Sequence, residues 1–316
     1  MKYRKLGKYG VKVSEVSLGS WLTFGGATED AQAKACVEKA FDLGINFFDT
    51  ANVYARGAAE EFLGQALAPY KRDDLFVATK VFFPMGDGPN DRGLSRKHIM
   101  EQCHASLKRL KMDYVDLYQC HRYDSETPLE ETLMALDDLV KQGKILYYGV
   151  SQWSAGQIAH AVDLARGRNL NAPVSNQPVY NMLNRDLEKD VLPLCGREGI
   201  GQVVYSPLAQ GLLTGKYKPG QPVPEGTRAA DPRQNMFLNK GELDQNTLTK
   251  VQNLAPIAER LGITMSQLAL AWCLRRPEVS SVIIGASRPE QVEDNAGASG
   301  VVLSPQDIAD IDAALA

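Results

Sequence analysis

The run VSLGSW (residues 16–21) ends in a turn that separates two ways of building a parallel sheet. An open dinucleotide-binding sheet carries Gly-x-Gly-x-x-Gly after its first strand, where backbone must approach a pyrophosphate. Here the turn reads Leu18-Gly19-Ser20-Trp21 instead. Seven more runs rich in β-branched and aromatic residues follow: INFFDT (45–50), LFVATKV (75–81), YVDLYQCH (114–121), ILYYGVS (145–151), PVSNQPVY (173–180), GQVVYSP (201–207) and SSVIIGAS (280–287). The segments between them have helical periodicity. Strict alternation with short connections implies parallel strands joined by right-handed crossovers. Eight units rather than five or six predict closure into a (β/α)8 TIM barrel, with residues 1–316 forming one domain.

The helix ends carry their own signals. Leu129, Leu133, Leu136 and Val140 share one helical face, and Gly143 follows as a left-handed cap. Gly44, Gly167, Gly199 and Gly262 are expected to close helices in the same way. Ser154 and Asp186 are expected N-caps, and Ser304-Pro305 opens a final capped helix. Residues 2–13 alternate around Lys8-Tyr9-Gly10, predicting a β-hairpin that plugs the N-terminal mouth of the barrel. Residues 208–246, rich in Pro, Gly and Asn, form a long connection after the seventh strand, and a structureless loop of that length in a compact domain is usually functional, often a lid or binding loop.

Composition narrows the function classes. The chain is 44% apolar and 23% charged, with a net charge of -3, which excludes disorder as the main state and gives no concentrated cationic footprint for nucleic acid. Five cysteines, Cys36, Cys103, Cys120, Cys195 and Cys273, are odd in number and far apart, so reduced thiols are expected rather than a disulfide framework. The start has no apolar signal core, and no run of 18 apolar residues occurs, so a cytoplasmic protein without membrane insertion is expected. The four histidines, His98, His104, His121 and His160, form no metal-binding pattern, and no metal is expected.

In such a barrel the reactive groups stand where strands end. Asp49 ends the second run, Lys80 lies near the end of the third and His121 ends the fourth; Tyr54 follows Asp49 by five residues and can fold back over the same mouth. Singly, Asp49 could cap the next segment, Lys80 could be a solvated strand end, His121 could satisfy a carbonyl and Tyr54 could simply pack. Together they suit carbonyl reduction. A phenol of pKa ~10 is a poor acid at neutral pH, and a neighbouring ammonium is expected to lower that value. Tyr54 then donates a proton to a carbonyl oxygen receiving hydride, and His121 fixes that oxygen. A Schiff-base aldolase would use Lys80 alone. A glycosidase would need a second facing carboxylate, and Gly149-Val150-Ser151-Gln152-Trp153 is not a hydrolase elbow.

The motifs Phe47-Phe48-Asp49-Thr50-Ala51-x-x-Tyr54, Gly149-Val150-Ser151, Tyr205-Ser206-Pro207-Leu208 and Gly285-Ala286-Ser287 with Asn295, in this order with Lys80 and His121, resemble the aldo-keto reductase family over nearly the whole chain. Asp49, Tyr54, Lys80 and His121 match that family's catalytic tetrad. Trp21-Leu22-Thr23-Phe24-Gly25-Gly26 and Ala271-Trp272-Cys273-Leu274-Arg275 look closest to the branch of potassium-channel β subunits and their bacterial relatives.

The resemblance implies an NADP(H) cofactor. Ser151, Gln152 and Gln177 occupy the carboxamide positions, and Tyr205 is where a ring stacks on the nicotinamide. Ser20, Trp21 and Asp49 border the nicotinamide and the substrate mouth. Ser206, Pro207, Leu208, Ala209 and Gly211 follow the pyrophosphate, and Gly285, Ser287, Gln291, Asp294 and Asn295 correspond to the adenosine end. Many family members place Lys and Arg on the 2′-phosphate where this chain has Gly285 and Gln291. The channel branch points instead to Lys216 and Arg228 on the long connection, with Arg288 a further cation nearby. The implied activity is NADPH-dependent reduction of a small aldehyde or ketone. The alternative is a nucleotide-binding redox sensor with slow turnover, as in the channel subunits. A chain that starts almost directly at the barrel favours the simple enzyme. A homo-oligomer is left open, and neither substrate nor direction is named by the sequence.

Overall fold

The computed structural model describes residues 1–25, 30–231, 234, 235, 238 and 243–316. Gly26 of the Trp21 motif lies outside them. The chain opens with β1 (Tyr3–Lys5) and β2 (Lys12–Ser14), an antiparallel pair. Eight strands then close into a parallel barrel: β3 (Val16–Gly19), β4 (Phe47–Asp49), β5 (Phe76–Val81), β6 (Val115–Cys120), β7 (Ile145–Ser151), β8 (Ser175–Gln177), β9 (Gly201–Val204) and β10 (Val279–Ile284), with β10 returning to β3. Each expected run coincides with one of them: β7 fills its run, β10 starts one residue before its run, and the others are shorter than theirs.

Period-two alternation decides what faces inward. In β5, Val77 and Val81 pack outward into the main core, whereas Phe76 and Ala78 belong to the apolar cluster inside the barrel. Lys80 continues that inward row at the far mouth. The hairpin supplies Leu6 and Val13 to the same interior cluster as Phe47, Phe76, Leu117 and Val203, so one end is plugged by apolar side chains, each worth about 1.5–3 kcal/mol when fully buried. Gly7, with φ of +59°, makes this contact: a Cβ there would stand 2.2 Å from the Gly199 carbonyl oxygen. Lys8 N–H donates to that same oxygen at 2.9 Å.

Helices α1 (Asp30–Asp42), α2 (Ala58–Leu67), α3 (Arg96–Leu110), α4 (Leu129–Lys141), α5 (Ala155–Gly167) and α6 (Val191–Glu198) alternate with the strands. After β9 come α7 (Gln245–Gln252), α8 (Ala255–Leu261) and α9 (Met265–Leu274), and after β10 come α10 (Pro289–Ala296) and α11 (Pro305–Leu315). Ser154 and Ser304 both form capping boxes, and Gly44, Gly143, Gly199 and Gly262 all take positive φ. Two expected signals are corrected. Gly167 is the last residue of α5, and Asn169 takes the left-handed conformation instead, as asparagine tolerates. Asp186 caps nothing: it starts a short 3-10 turn and pairs with Lys189 at 2.7 Å.

The long connection is also not structureless. It contains 3-10 turns at Ala209–Thr214 and Arg228–Ala230. Leu212, Tyr217 and Leu238 pack with Leu248 of α7 in a small apolar core apart from the main one, and the Gln252 amide donates to the carbonyls of Gly215 and Tyr217 at 2.9 and 3.1 Å. Among the described residues no helix is long and apolar enough to cross a membrane.

Candidate active site

At the mouth opposite the plug, strand register brings the polar strand ends into one layer. Asp49 pairs in register with Ala78, and Lys80 with Gln119. The Lys80 side chain has no exposure and Asp49 almost none. The ammonium is satisfied by three neighbours: it donates to Asp49 Oδ1, to the Thr50 carbonyl at 2.7 Å and to the Tyr54 hydroxyl at 3.4 Å. Asp49 Oδ2 accepts from the amides of Gln177 at 2.9 Å and Gln119 at 3.2 Å. A buried carboxylate and ammonium are thus paired and hydrogen-bonded on every side, which burial demands.

Tyr54 reaches this layer because the chain bends sharply after it. Ala55 and Arg56 take φ of 48° and 52°, and Gly57 takes 96°. The bend lays the phenol edge-on to His121, with ring centroids 5.7 Å apart. His121 Nδ1 is buried without a hydrogen-bond partner. Burial, then the Lys80 and Arg122 charges, hold the imidazole well below its ordinary pKa, so it is neutral and can donate from Nε2 to an oxygen in the cleft. One expectation is reversed. Burial raises the Tyr54 phenol and outweighs the lowering by Lys80, so its pKa lies above the ordinary tyrosine value. Lys80 is itself shared with Asp49 and Thr50, which leaves it less to give the phenol.

A cleft of about 1590 Å³ opens over this layer. Its lining runs from Trp21, Asp49, Tyr54 and His121 past Ser151, Gln177 and Tyr205 to Ser206, Pro207, Leu208, Ala209 and Gly211, and on to Gly285, Ser287, Gln291, Asp294 and Asn295. Lys216 and Arg228 line it from the long connection. Burial, then the charges of Arg228 and Arg288, lower the Lys216 pKa, so three cations stand close together. Arg228 also holds its guanidinium 5.6 Å from the Trp21 ring centroid.

A family model described as the aldo/keto reductase family matches residues 15–316. The chain belongs to the aldo/keto reductase family. It is 47% identical over 305 residues to a probable voltage-gated potassium channel subunit beta of Arabidopsis thaliana, covering 96% of this chain and 92% of that protein. A protein of the same description from Oryza sativa subsp. japonica is 45% identical, covering 99% and 96%. A putative voltage-gated potassium channel subunit beta of Schizosaccharomyces pombe is 46% identical, covering 98% and 92%.

Some expected contacts in this aldo/keto reductase are engaged within the protein itself. Ser20 does not line the cleft: its buried hydroxyl donates to Thr50 Oγ1 at 2.8 Å. Ser151 Oγ donates to the Gln177 carbonyl at 2.8 Å. Gln152, with φ of 58°, donates its amide to the Tyr205 phenol at 2.9 Å and accepts from Val179 N–H at 3.2 Å, which fixes the ring. Sequence reasoning missed Gln119, Thr50 and Arg122. It also missed Asn181, whose amide donates to the Ser206 carbonyl at 2.9 Å where Ser206 takes a φ of 52°. Gln119 did carry a signal, an amide on the inward row of an apolar strand two residues before His121. Lys80 exposes nothing to the cleft, which disfavours the Schiff-base aldolase reading.

Proposed function

We propose that this aldo/keto reductase uses NADPH to reduce small aldehydes or ketones to alcohols. The observation that carries the reading is the Asp49–Lys80–Tyr54 chain of contacts closing on one edge of the cleft beside a neutral His121. When bound, the reduced nicotinamide supplies hydride. The Tyr54 hydroxyl gives its proton to the carbonyl oxygen as that oxygen gains charge. His121 Nε2–H holds the same oxygen and fixes its place beside the phenol. Lys80 faces the phenol oxygen left behind, and Asp49, with the amides of Gln119 and Gln177, keeps the ammonium in place.

The residues fit a nicotinamide dinucleotide on observations of this chain. Backbone at Ser206, Ala209, Gln210 and Gly211 takes positive φ along the cleft. A Cβ on Gly285 would meet nothing within 4 Å, so the backbone there lies open to a ligand. Arg228 and Arg288 both act on Lys216 as like charges, a repulsion that an anion among them would relieve, which favours NADP over NAD. Five free cysteines, all buried, fit a reducing, cytoplasmic setting. The test is Tyr54→Phe: carbonyl reduction should fall about a hundred- to ten-thousandfold with nucleotide affinity little changed, and wild-type turnover in this variant would sink the assignment.

The descriptions of the relatives favour a second reading, a nucleotide-binding channel subunit with slow turnover. Steady-state rates on a panel of aldehydes separate the two. Fast turnover supports the reductase, and tight NADP binding with negligible turnover supports the sensor.

A further inference from the structure

One cation of the cleft helps to keep His121 neutral but is given no contact with the reacting groups in the chemistry just described. Arg122 directly follows His121 at the end of β6, is half-buried and lines the cleft. Its Nη1 donates to the His121 carbonyl at 2.6 Å, and its guanidinium lies 5.5 Å from the centroid of Phe83. The same Phe83 ring meets the His121 imidazole edge-on at 4.9 Å. One ring therefore anchors the guanidinium and the imidazole together, and the guanidinium also reaches the Tyr205 phenol.

Neighbouring carboxylates are committed elsewhere. Asp124, two residues on, accepts from Leu94 N–H at 2.7 Å, Thr127 Oγ1 at 2.8 Å and Glu126 N–H at 2.9 Å. Asp49 is taken by Lys80 and two amides. Among the described residues Arg122 thus forms no ion pair, while its planar fork carries five donors. The other lysine and arginine residues described along the cleft, Lys216, Arg228 and Lys250, lie on the long connection or on α7 behind it. A half-buried guanidinium without a counter-ion carries a desolvation cost that an incoming anion relieves.

We propose that Arg122 selects the substrate, and that the carbonyl compound reduced here carries a carboxylate, bound by the guanidinium while Tyr54 and His121 hold the carbonyl oxygen. This rests on the reductase reading for the reaction but not for the binding. Trp21, Phe83 and Tyr205 supply aromatic walls for the carbon skeleton between the two polar ends. A guanidinium–carboxylate contact is stronger than a neutral hydrogen bond and specific in geometry, and is worth roughly ten- to hundredfold in affinity.

The experiment uses the full chain and matched pairs: 4-oxobutanoate and 4-carboxybenzaldehyde, each against its methyl ester. The ratio of kcat/KM, acid over ester, should exceed about ten at low salt and shrink as salt screens the pair. Arg122→Gln should collapse the ratio at least tenfold through KM of the acids, Arg122→Lys should restore part of it, and Arg122→Glu should turn it against the acids. A ratio near one, or one unchanged in Arg122→Gln, overturns the proposal. An equal loss on acids and esters also overturns it, making Arg122 a positioning residue for Tyr205. Quenching of tryptophan fluorescence by 4-carbamoylbenzoate, against terephthalamide, reads binding without turnover. Preference for the carboxylate that is lost in Arg122→Gln, with no aldehyde turned over, supports the anion site and overturns the reductase reading instead.

Discussion

The Lys80 ammonium stands 3.4 Å from the Tyr54 hydroxyl but makes its shorter bonds to Asp49 and to the Thr50 carbonyl. The phenol is therefore oriented by a cation whose charge is already shared, and burial leaves its pKa above the ordinary value. A proton donor with a raised pKa keeps its proton as pH rises. Reduction should hold level from neutral pH to about pH 10 and fall only beyond it, as the phenol ionises. His121 is held neutral by burial and by Lys80 and Arg122, so no limb between about pH 5 and 8 should arise from it. Single-turnover rates against pH measure this, and an alkaline limb near neutrality would contradict it.

Asp49 is the counter-ion of a lysine with no exposure. Asp49→Asn leaves that ammonium buried and uncompensated, and should cost about 3–5 kcal/mol of stability. Adding Lys80→Met should recover much of the loss, since the pair is then replaced by neutral groups of similar size. Burial pushes the Lys80 pKa down, but Asp49 and Tyr54 outweigh it and the result lies above 10.5. A raised folded pKa stabilises fully below the unfolded value, so the Lys80 contribution is complete at neutral pH and is lost as pH rises from the unfolded value through the folded one. Urea midpoints of the single and double variants, compared at neutral and strongly alkaline pH, check both statements.

Helices α2 and α3 meet where Gly64 faces the end of α3. A Cβ on Gly64 would lie 2.3 Å from the Leu110 carbonyl oxygen, a backbone atom that cannot swing away. Gly64→Ala should destabilise by about 1–3 kcal/mol through overpacking. Gly156, in the first turn of α5, has no positive φ, and a Cβ there would meet nothing within 4 Å. Gly156→Ala should stabilise by about 0.5–1 kcal/mol. Opposite signs for these two helical glycines in thermal melts distinguish contact from backbone entropy.

Asp49, Lys80 and His121 were legible in the sequence because charged or imidazole side chains at the ends of apolar strands have few other reasons to be there. The barrel was legible because eight β-prone runs alternated with capped helices. Arg122 was not, because one arginine after a strand reads as an ordinary surface cation until the fold shows which carboxylates are spent. The packing of the long connection was hidden for a similar reason: Leu212, Tyr217, Leu238 and Leu248 are spaced without period, so no local pattern marks them as one core. The direction of the Tyr54 shift depends on burial competing with charge, which needs the side chains in place.

Arg228 stands between the Trp21 ring and Lys216 of the long connection. Its guanidinium lies over the Trp21 ring, while its charge acts on Lys216, which also feels Arg288. A 2′-phosphate binding among these cations should relieve their repulsion and draw the guanidinium away from the indole, changing Trp21 emission. A charge-assisted contact to phosphate is worth about 1.5–3 kcal/mol, so Arg228→Ala and Lys216→Ala should each weaken NADP by that amount and NAD hardly at all. Titrating both nucleotides against tryptophan fluorescence, with Trp21→Phe to assign the signal, measures this. Equal losses for NADP and NAD would place these residues on the shared pyrophosphate or in the ordering of the connection. No loss for either would remove both from the site and leave Arg288, exposed beside the start of α10, as the cation that reads the phosphate.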